Sequence, residues 1–264
     1  MTVRTNKTKR RKRRRPKQLT LGLVRGRGGP GRGQGRKKTR HDYVPHTRRR
    51  FLEKRHPVHI STRVVRGLPS LRGRTLWAAV RRGFVFGRVF GAAEDAPEVF
   101  RIVHFSVQGR HIHLVCEAAD RRALSRGIQG FKIRVAKAIN AALGGRRGQV
   151  FEDRYHERII TNPTQCRHAL AYVLNNQRHH AYEECASYPR NRVDPCSSAV
   201  LFDGWTVARP QPWANAPPSD TDGEATVAEP KTWLLRGGWK RGGSAISPNV
   251  IPGLPAGAPP LPVW

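Results

Sequence analysis

"FRIVHFSVQGRHIHLVCEA", residues 100–118, decides the fold. Two β-like apolar runs, "FRIVHFSV" and "RHIHLVCEA", are parted by Gln108-Gly109, a dipeptide suited to a tight turn, so the stretch predicts an antiparallel hairpin. Side chains two apart on a strand share a face. His111 and His113 therefore project together, and Ile112, Leu114 and Cys116 project the other way.

Working outward, "PVHISTRVVRG" alternates Val58, Ile60, Thr62 and Val64 with His59, Ser61 and Arg63, which argues a strand. "RTLWAAVRRGFVFG" spaces Leu76, Val80 and Phe84 four apart, an amphipathic helix despite its glycines. After the hairpin, "DRRALSRGIQGFKIRVAKAINAALGG" aligns Leu124, Ile128, Phe131, Val135 and Ile139 on one helical stripe that stops at Gly144-Gly145. "QVFEDRYHERII" reads as a further strand and "NPTQCRHALAYVLNNQRHHAYEE" as one closing helix. The order β-α-β-β-α-β-α makes the chain α+β. Its first six elements follow the ferredoxin-like order, an antiparallel sheet with two helices on one face. The apolar trio of the hairpin should meet those helices. The histidines should lie on the open face, beneath the last helix.

The flanks differ in composition. The first fifty residues hold 20 Lys or Arg against one acid, Asp42, in a chain of net charge +32. Such a segment cannot bury enough apolar surface to order itself. Residues 1–50 are expected to be a disordered basic tail that acts as a nonspecific phosphate-binding arm. Residues 51–190 form the folded domain, and residues 191–264, rich in Pro and Gly, form an irregular arm. Within that arm "TWLLRGGWKRGG" has the Trp and Leu either to dock on the core or to stack on a base. The charge calls for a polyanionic partner, nucleic acid before membrane. No run of about 18 apolar residues occurs and no apolar segment follows the basic N-terminus, so a soluble, intracellular protein is expected. Four widely spaced cysteines without a CxxC pair suggest neither a zinc ribbon nor a disulfide framework.

Two neutral imidazoles on one strand face make half of a divalent-metal site, since each offers a nitrogen lone pair. On the closing helix, at about 100° per residue, Cys166, Leu170 and Val173 form an apolar stripe, while Tyr172 and Asn176 share a neighbouring face. A hydroxyl and an amide oxygen could thus both reach the histidines. His156 is a candidate further base and Tyr155 a rival nucleophile, the latter without an amide one turn away. His179 and His180 with Cys185 match no common zinc module. Lys132 and Lys137 on the second helix and Arg154 on the strand after it are candidate DNA contacts. Acidic residues are too scarce in the core for a carboxylate triad; Asp153 and Glu157 lack a third partner.

Over residues 56–184 the chain resembles the single-tyrosine HUH transposases of small insertion sequences, and especially the REP-associated tyrosine transposases. The resemblance lies in "HPVHISTRVVRGLPSLR", in "HFSVQGRHIHLVCEA" with its His-hydrophobic-His core, in "VFEDRYHERII" and in "ALAYVLNNQ" as the nucleophile helix. It implies that Tyr172 is the nucleophile and that His111, His113 and Asn176 hold Mg2+ or Mn2+. It also implies cleavage and rejoining of single-stranded or hairpin DNA through a 5′-phosphotyrosine, in a bacterial cytoplasmic protein that joins the nucleoid when bound to DNA. Family members commonly read Tyr-Ile-x-x-Asn-Pro here, whereas this chain reads "YVLNNQ" and lacks the proline. A monomer and a homodimer both remain open. The rival class is a noncatalytic nucleic-acid-binding protein, including a domesticated transposase kept for binding, although "HIHLV" lacks the aromatic platform of an RNA-recognition sheet.

Overall fold

The computed structural model describes residues 49–90, 99–217 and 222–253. Most of the basic tail and the last eleven residues therefore lie outside the described part. In chain order the elements are β1 (Val58–Arg63), α1 (Arg74–Gly87), β2 (Val89–Phe90), β3 (Phe100–Val107), β4 (His111–Ala118), α2 (Arg121–Ala142), β5 (His156–Ile159), α3 (Pro163–Leu174) and α4 (Asn176–Glu183). They are followed by β6 (Arg192–Val193), β7 (Gln211–Pro212) and the short α5 (Trp233–Arg236).

The main sheet has the order β2-β3-β4-β1-β5, and every pairing in it is antiparallel. Without the two-residue edge strand β2, this is the ferredoxin-like arrangement expected from the element order. The hairpin turns over residues 108–110, closed by the Gln108 N–H donating to the His111 carbonyl at 2.8 Å.

On one face, Leu76, Val80 and Phe84 of α1 and Leu124, Ile128, Phe131, Val135 and Ile139 of α2 bury against Val58, Ile60, Ile112, Leu114 and Cys116. The glycines of these helices let them approach closely. A Cβ on Gly83 would stand 2.3 Å from Val135 Cγ2, and one on Gly127 would stand 2.2 Å from the Phe100 ring. Asp120 caps α2 by accepting from the Ala123 N–H at 2.7 Å.

The other face carries α3. Asn162 caps it by accepting from the Gln165 N–H at 2.9 Å, and Pro163 opens its first turn. Cys166, Leu170 and Val173 pack with Val103 and Val115 of the sheet in a second core. The stretch expected to be an irregular arm is irregular in backbone but packed: Val193, Phe202, Trp205, Leu234, Leu235, Trp239 and Ile246 complete this second core. "TWLLRGGWKRGG" thus docks, the first of its two readings. Its side chains are spaced without helical or strand period, so periodicity could not reveal that they bury. All four cysteines are free thiols, and Cys185 alone is exposed. Among the described residues, no helix is long and apolar enough to cross a membrane.

Two expected elements differ. The strand 149–160 is interrupted: Phe151 bridges Val64, a bend follows at 153–154, and pairing with β1 resumes only at His156. The closing helix breaks at Asn175, whose φ of −105° and ψ of 18° leave the helical region. The Asn175 amide donates to the Ser247 carbonyl at 3.1 Å, so the following chain holds the break.

Candidate active site

The site is assembled on the sheet face beneath α3. In the β1–β4 register Ser61 lies opposite His113 and Arg63 opposite His111, while His59 faces Val115. Residues paired or diagonal across antiparallel strands share a face, so β1 contributes His59 to the face of the histidine pair. The His59 and His113 rings stack at 5.5 Å between centroids, with 26° between planes. From α3, Tyr172 sets its ring edge-on to both, 5.4 Å from His113 and 5.6 Å from His59. The apolar stripe of α3 fixes that phase by burying in the second core, which leaves Tyr172 partly buried at the core's margin.

The break at Asn175 swings α4 around the same centre. The His179 ring lies 6.1 Å from Tyr172, and the His180 ring lies parallel to His111 at 6.4 Å, with 4° between planes. The buried Arg178 anchors α4 by donating to the carbonyls of Tyr188, Pro189, Arg192 and Pro248, with its guanidinium 4.2 Å over the Tyr188 ring. Burial without a carboxylate partner pulls its pKa down to about 10.

Electrostatics keep the imidazoles neutral. Burial, then Arg158, pushes the His59 pKa down to about 4. Burial, then Arg63 and His180, brings His111 to about 4. His113 falls well below the ordinary value through burial and the surrounding histidines. Neutral rings retain a nitrogen lone pair.

Several of these polar atoms have no partner. His59 Nε2, His113 Nδ1, His179 Nδ1, His180 Nε2 and both amide atoms of Asn176 are buried without a hydrogen bond. Asn176 is fully buried one turn beyond Tyr172. Buried polar groups are nearly always satisfied, and each orphan costs about 1–3 kcal/mol, so these atoms keep hydrogen-bonding or lone-pair capacity that a water or a ligand could meet. The donor set, neutral imidazoles with one amide oxygen, fits a divalent cation. Among the described residues, however, no three His, Cys, Asp or Glu side chains are grouped to hold a metal ion. One physical reason is Arg63, whose Nε donates to His111 Nε2 at 2.7 Å and occupies that lone pair.

The remaining sequence candidates fall elsewhere. Tyr155 belongs to the first core, across the sheet from Tyr172, with the Arg49 guanidinium 3.8 Å over its ring and its hydroxyl pKa raised by burial. His156 is exposed on β5 opposite Ser61, on the site's face but two strands from His113, roughly 10 Å at ordinary strand spacing. Lys132 donates to the Asp153 carbonyl at 2.8 Å and lies over the Phe151 ring, while Lys137 is exposed farther along α2. Both sit on the layer opposite Tyr172. Arg154 is partly buried in the bend before β5.

Two exposed basic side chains on the site's own face are Arg63 of β1 and Arg158 of β5. His59, Arg63 and Arg158 were legible in principle, since strand alternation puts His59 and Arg63 on the open face. Only the pairing of β1 between β4 and β5 brings them to the histidines. His179, seven residues beyond Tyr172, shares its face on a straight helix and was legible in phase, whereas His180 lies some way round and comes to the site only through the break at Asn175.

No protein-family model matches the chain, and no curated protein matches it. Among solved structures, the REP-associated tyrosine transposase bound to a REP hairpin is similar, at 16% identity over 72% of this chain and 100% of that one, with a TM-score of 0.45.

Proposed function

We propose that this chain cleaves and rejoins single-stranded or hairpin DNA, with the Tyr172 hydroxyl as nucleophile. The observation that supports it is the packing of the Tyr172 ring edge-on against His59 and His113, among buried nitrogens that have no partner. In the forward step the Tyr172 oxygen attacks the scissile phosphorus in line. The P–O bond to the upstream 3′-oxygen breaks, the tyrosine gives up its phenolic proton, and the 3′-oxygen gains one. The downstream strand is then held as a 5′-phosphotyrosine ester. Attack by a 3′-hydroxyl reverses these changes and joins a strand, so the number of phosphate ester bonds is conserved and no outside energy source is needed.

A tyrosine hydroxyl titrates near 10 in water and is a poor nucleophile at neutral pH, so the phosphate must be polarised. His111, His113 and Asn176 are the residues that would hold Mg2+ or Mn2+, which would supply Lewis-acid polarisation of that phosphate. Arg63 and Arg158 offer guanidinium groups to the strand's phosphates on the same face, and the net charge of +32 draws the polyanion in.

The test is a denaturing gel of labelled single-stranded hairpin DNA with the divalent cation present. The expected result is a covalent adduct with the wild type and with Tyr155→Phe, and none with Tyr172→Phe. Hairpin affinity should stay within a few-fold in every variant. No adduct from the wild type, with affinity retained, would leave the noncatalytic nucleic-acid-binding reading in its place.

A further inference from the structure

Trp233 is 55% exposed, although Leu234 and Leu235 beside it are buried in the second core. Its ring rests on the backbone of Gly238, where a Cβ would stand 2.7 Å from the ring's Cε3, and the Arg241 guanidinium lies 5.5 Å from its centroid. The turn that carries Trp233 is tied to the sheet. Buried Glu117 accepts from the Thr232 N–H at 2.7 Å, from the Lys231 N–H at 2.9 Å and from Arg101 Nη1 at 2.9 Å. Trp233 and Glu117 line a cavity of about 690 Å3, a size that takes a small ligand, with apolar walls from Val99, Ala118, Ala119 and Leu234. Lys54, Arg55 and Lys231 line it too, and all three are exposed. Among the described residues the lining holds four Lys or Arg and one acid, Glu117, whose carboxylate is already taken by Arg101 and the two backbone N–H groups.

The cavity opens at the other end of the sheet face that carries Tyr172. Glu117 stands four residues beyond His113 on β4, on the same face and roughly 13 Å away at ordinary strand rise. The two ends are joined along β1 and β5. Arg158 lies opposite His59, the ladder continues with the Ile160 N–H donating to the Pro57 carbonyl at 2.8 Å, and the next residues on each side, His56 and Thr161, line the cavity. Exposed basic groups thus lead from the Tyr172 site, by way of Arg158, to Lys54 and Lys231. We infer that this cavity receives an unpaired nucleobase of the bound DNA strand, stacked on Trp233, with the strand's phosphates on the basic side chains at its mouth. This rests on the single-stranded substrate proposed above and not on the chemistry at Tyr172. An aromatic face beside a basic track is how single strands are held without sequence readout, because every base has a π-face to stack. A base inside a duplex has both faces covered by its neighbours and cannot enter. The Arg241 guanidinium near the same ring adds a cation–π contribution to the stack. Of the two readings of "TWLLRGGWKRGG", docking thus falls to Leu234, Leu235 and Trp239, and stacking to Trp233.

The probes are labelled oligothymidylate and an abasic deoxyribose-phosphate oligomer of the same length, titrated with the full chain and followed by anisotropy, so no cleavage is needed. The wild type should bind oligothymidylate about tenfold more tightly than the abasic oligomer, the scale of one stacked base, and the bound bases should quench tryptophan emission. Trp233→Ala should bring the two affinities together. Trp233→Phe keeps a ring over Gly238, so it should keep most of the preference and lose the quenching. Lys54→Gln should weaken both oligomers alike and lower the slope of log affinity against log salt by about 0.7, the share of one phosphate on a single strand. Equal affinities in the wild type, or the full preference in Trp233→Ala, would overturn the inference. Where Trp233→Ala does not fold, Trp233→Phe decides, since quenching as strong as the wild type's would put the stacked base on another tryptophan and overturn it as well. Tyr172→Phe should leave every one of these readouts unchanged. A missing Tyr172 adduct beside an intact base preference therefore removes the reaction and leaves this cavity as assigned.

Discussion

Arg63 and His111 face each other across the β1–β4 ladder, and the Arg63 Nε–H donates to His111 Nε2 at 2.7 Å. The guanidinium thereby takes a lone pair that a cation would use, and its positive charge stands beside the site. Both effects oppose cation binding. Arg63→Ala should therefore tighten divalent-cation affinity by up to about tenfold, the scale of one charge-assisted hydrogen bond. Calorimetric titration of the two proteins checks it. Equal affinities would mean that Arg63 leaves His111 at no cost and does not gate the site.

Gly127 and Gly130 lie on the same helix and should respond in opposite directions to alanine. A Cβ at Gly127 would meet the fully buried Phe100 ring at 2.2 Å, where nothing can yield without moving the strand. Overpacking of that kind costs about 1–3 kcal/mol and exceeds the roughly 1 kcal/mol that alanine gains in helix propensity. At Gly130 the nearest atom is the end of the Arg134 side chain at 3.0 Å, which can swing aside. Gly127→Ala should lower the urea midpoint and Gly130→Ala should raise it. A stabilised Gly127→Ala would mean that α2 does not ride on Phe100.

These glycines also illustrate what sequence could and could not convey. Helix α1 is legible from Leu76, Val80 and Phe84, but the meaning of its Gly83 is not, because the partner that fills the gap, Val135, is set by how two helices cross. The His111–His113 face follows from strand alternation alone, as does the stacking of Ile112, Leu114 and Cys116 on the helical layer. His59 follows only once β1 is placed beside β4. The break at Asn175 has no local breaker residue such as Gly or Pro; tertiary bonds from Asn175 to Ser247 and from Arg178 to Pro248 hold it, and these partners lie some seventy residues away. Helical phase for a straight helix keeps Tyr172 in its place and puts His179 on the same face, but it does not bring His180 to His111.

Asp194 and Arg72 tie the start of the C-terminal stretch to the loop before α1. The pair is bidentate, at 2.7 and 2.9 Å, and Arg72 also donates to the Val107 carbonyl at 2.8 Å. Asp194 is buried, and its carboxylate further accepts from the Cys196 N–H at 3.0 Å. Removing one partner of a buried pair strands the other's charge, at a cost of about 3–5 kcal/mol. Asp194→Ala should lower the melting temperature sharply and open the chain after residue 190 to limited proteolysis. The double variant Arg72→Met/Asp194→Leu should recover a substantial part of the loss. A mild effect of Asp194→Ala would show that the second core holds this stretch without the ion pair.

His104 provides a pH signature away from the site. It projects from β3 to the second core, edge-on to Phe202 at 5.6 Å and 3.3 Å from the Ser198 hydroxyl. Burial lowers its pKa from 6.5 to about 4, against a smaller opposing pull from Asp203. Between those values the unfolded chain binds a proton at this position and the folded chain does not. Stability is therefore fully present above about pH 6.5 and is lost as the pH falls toward 4. At pH 5 the loss from this one group is about 2 kcal/mol, from the difference of roughly 1.5 pH units between the unfolded pKa and the working pH. The depressed His59, His111 and His113 act in the same direction, so the wild type alone does not isolate it. His104→Gln keeps a polar group beside Ser198 and removes the titration. Its stability, read from urea midpoints at pH 7 and pH 5, should fall by less than that of the wild type, the difference approaching 2 kcal/mol. Equal losses in the two proteins would mean that His104 takes up its proton without unfolding, through an opening of the Ser198–Phe202 cover.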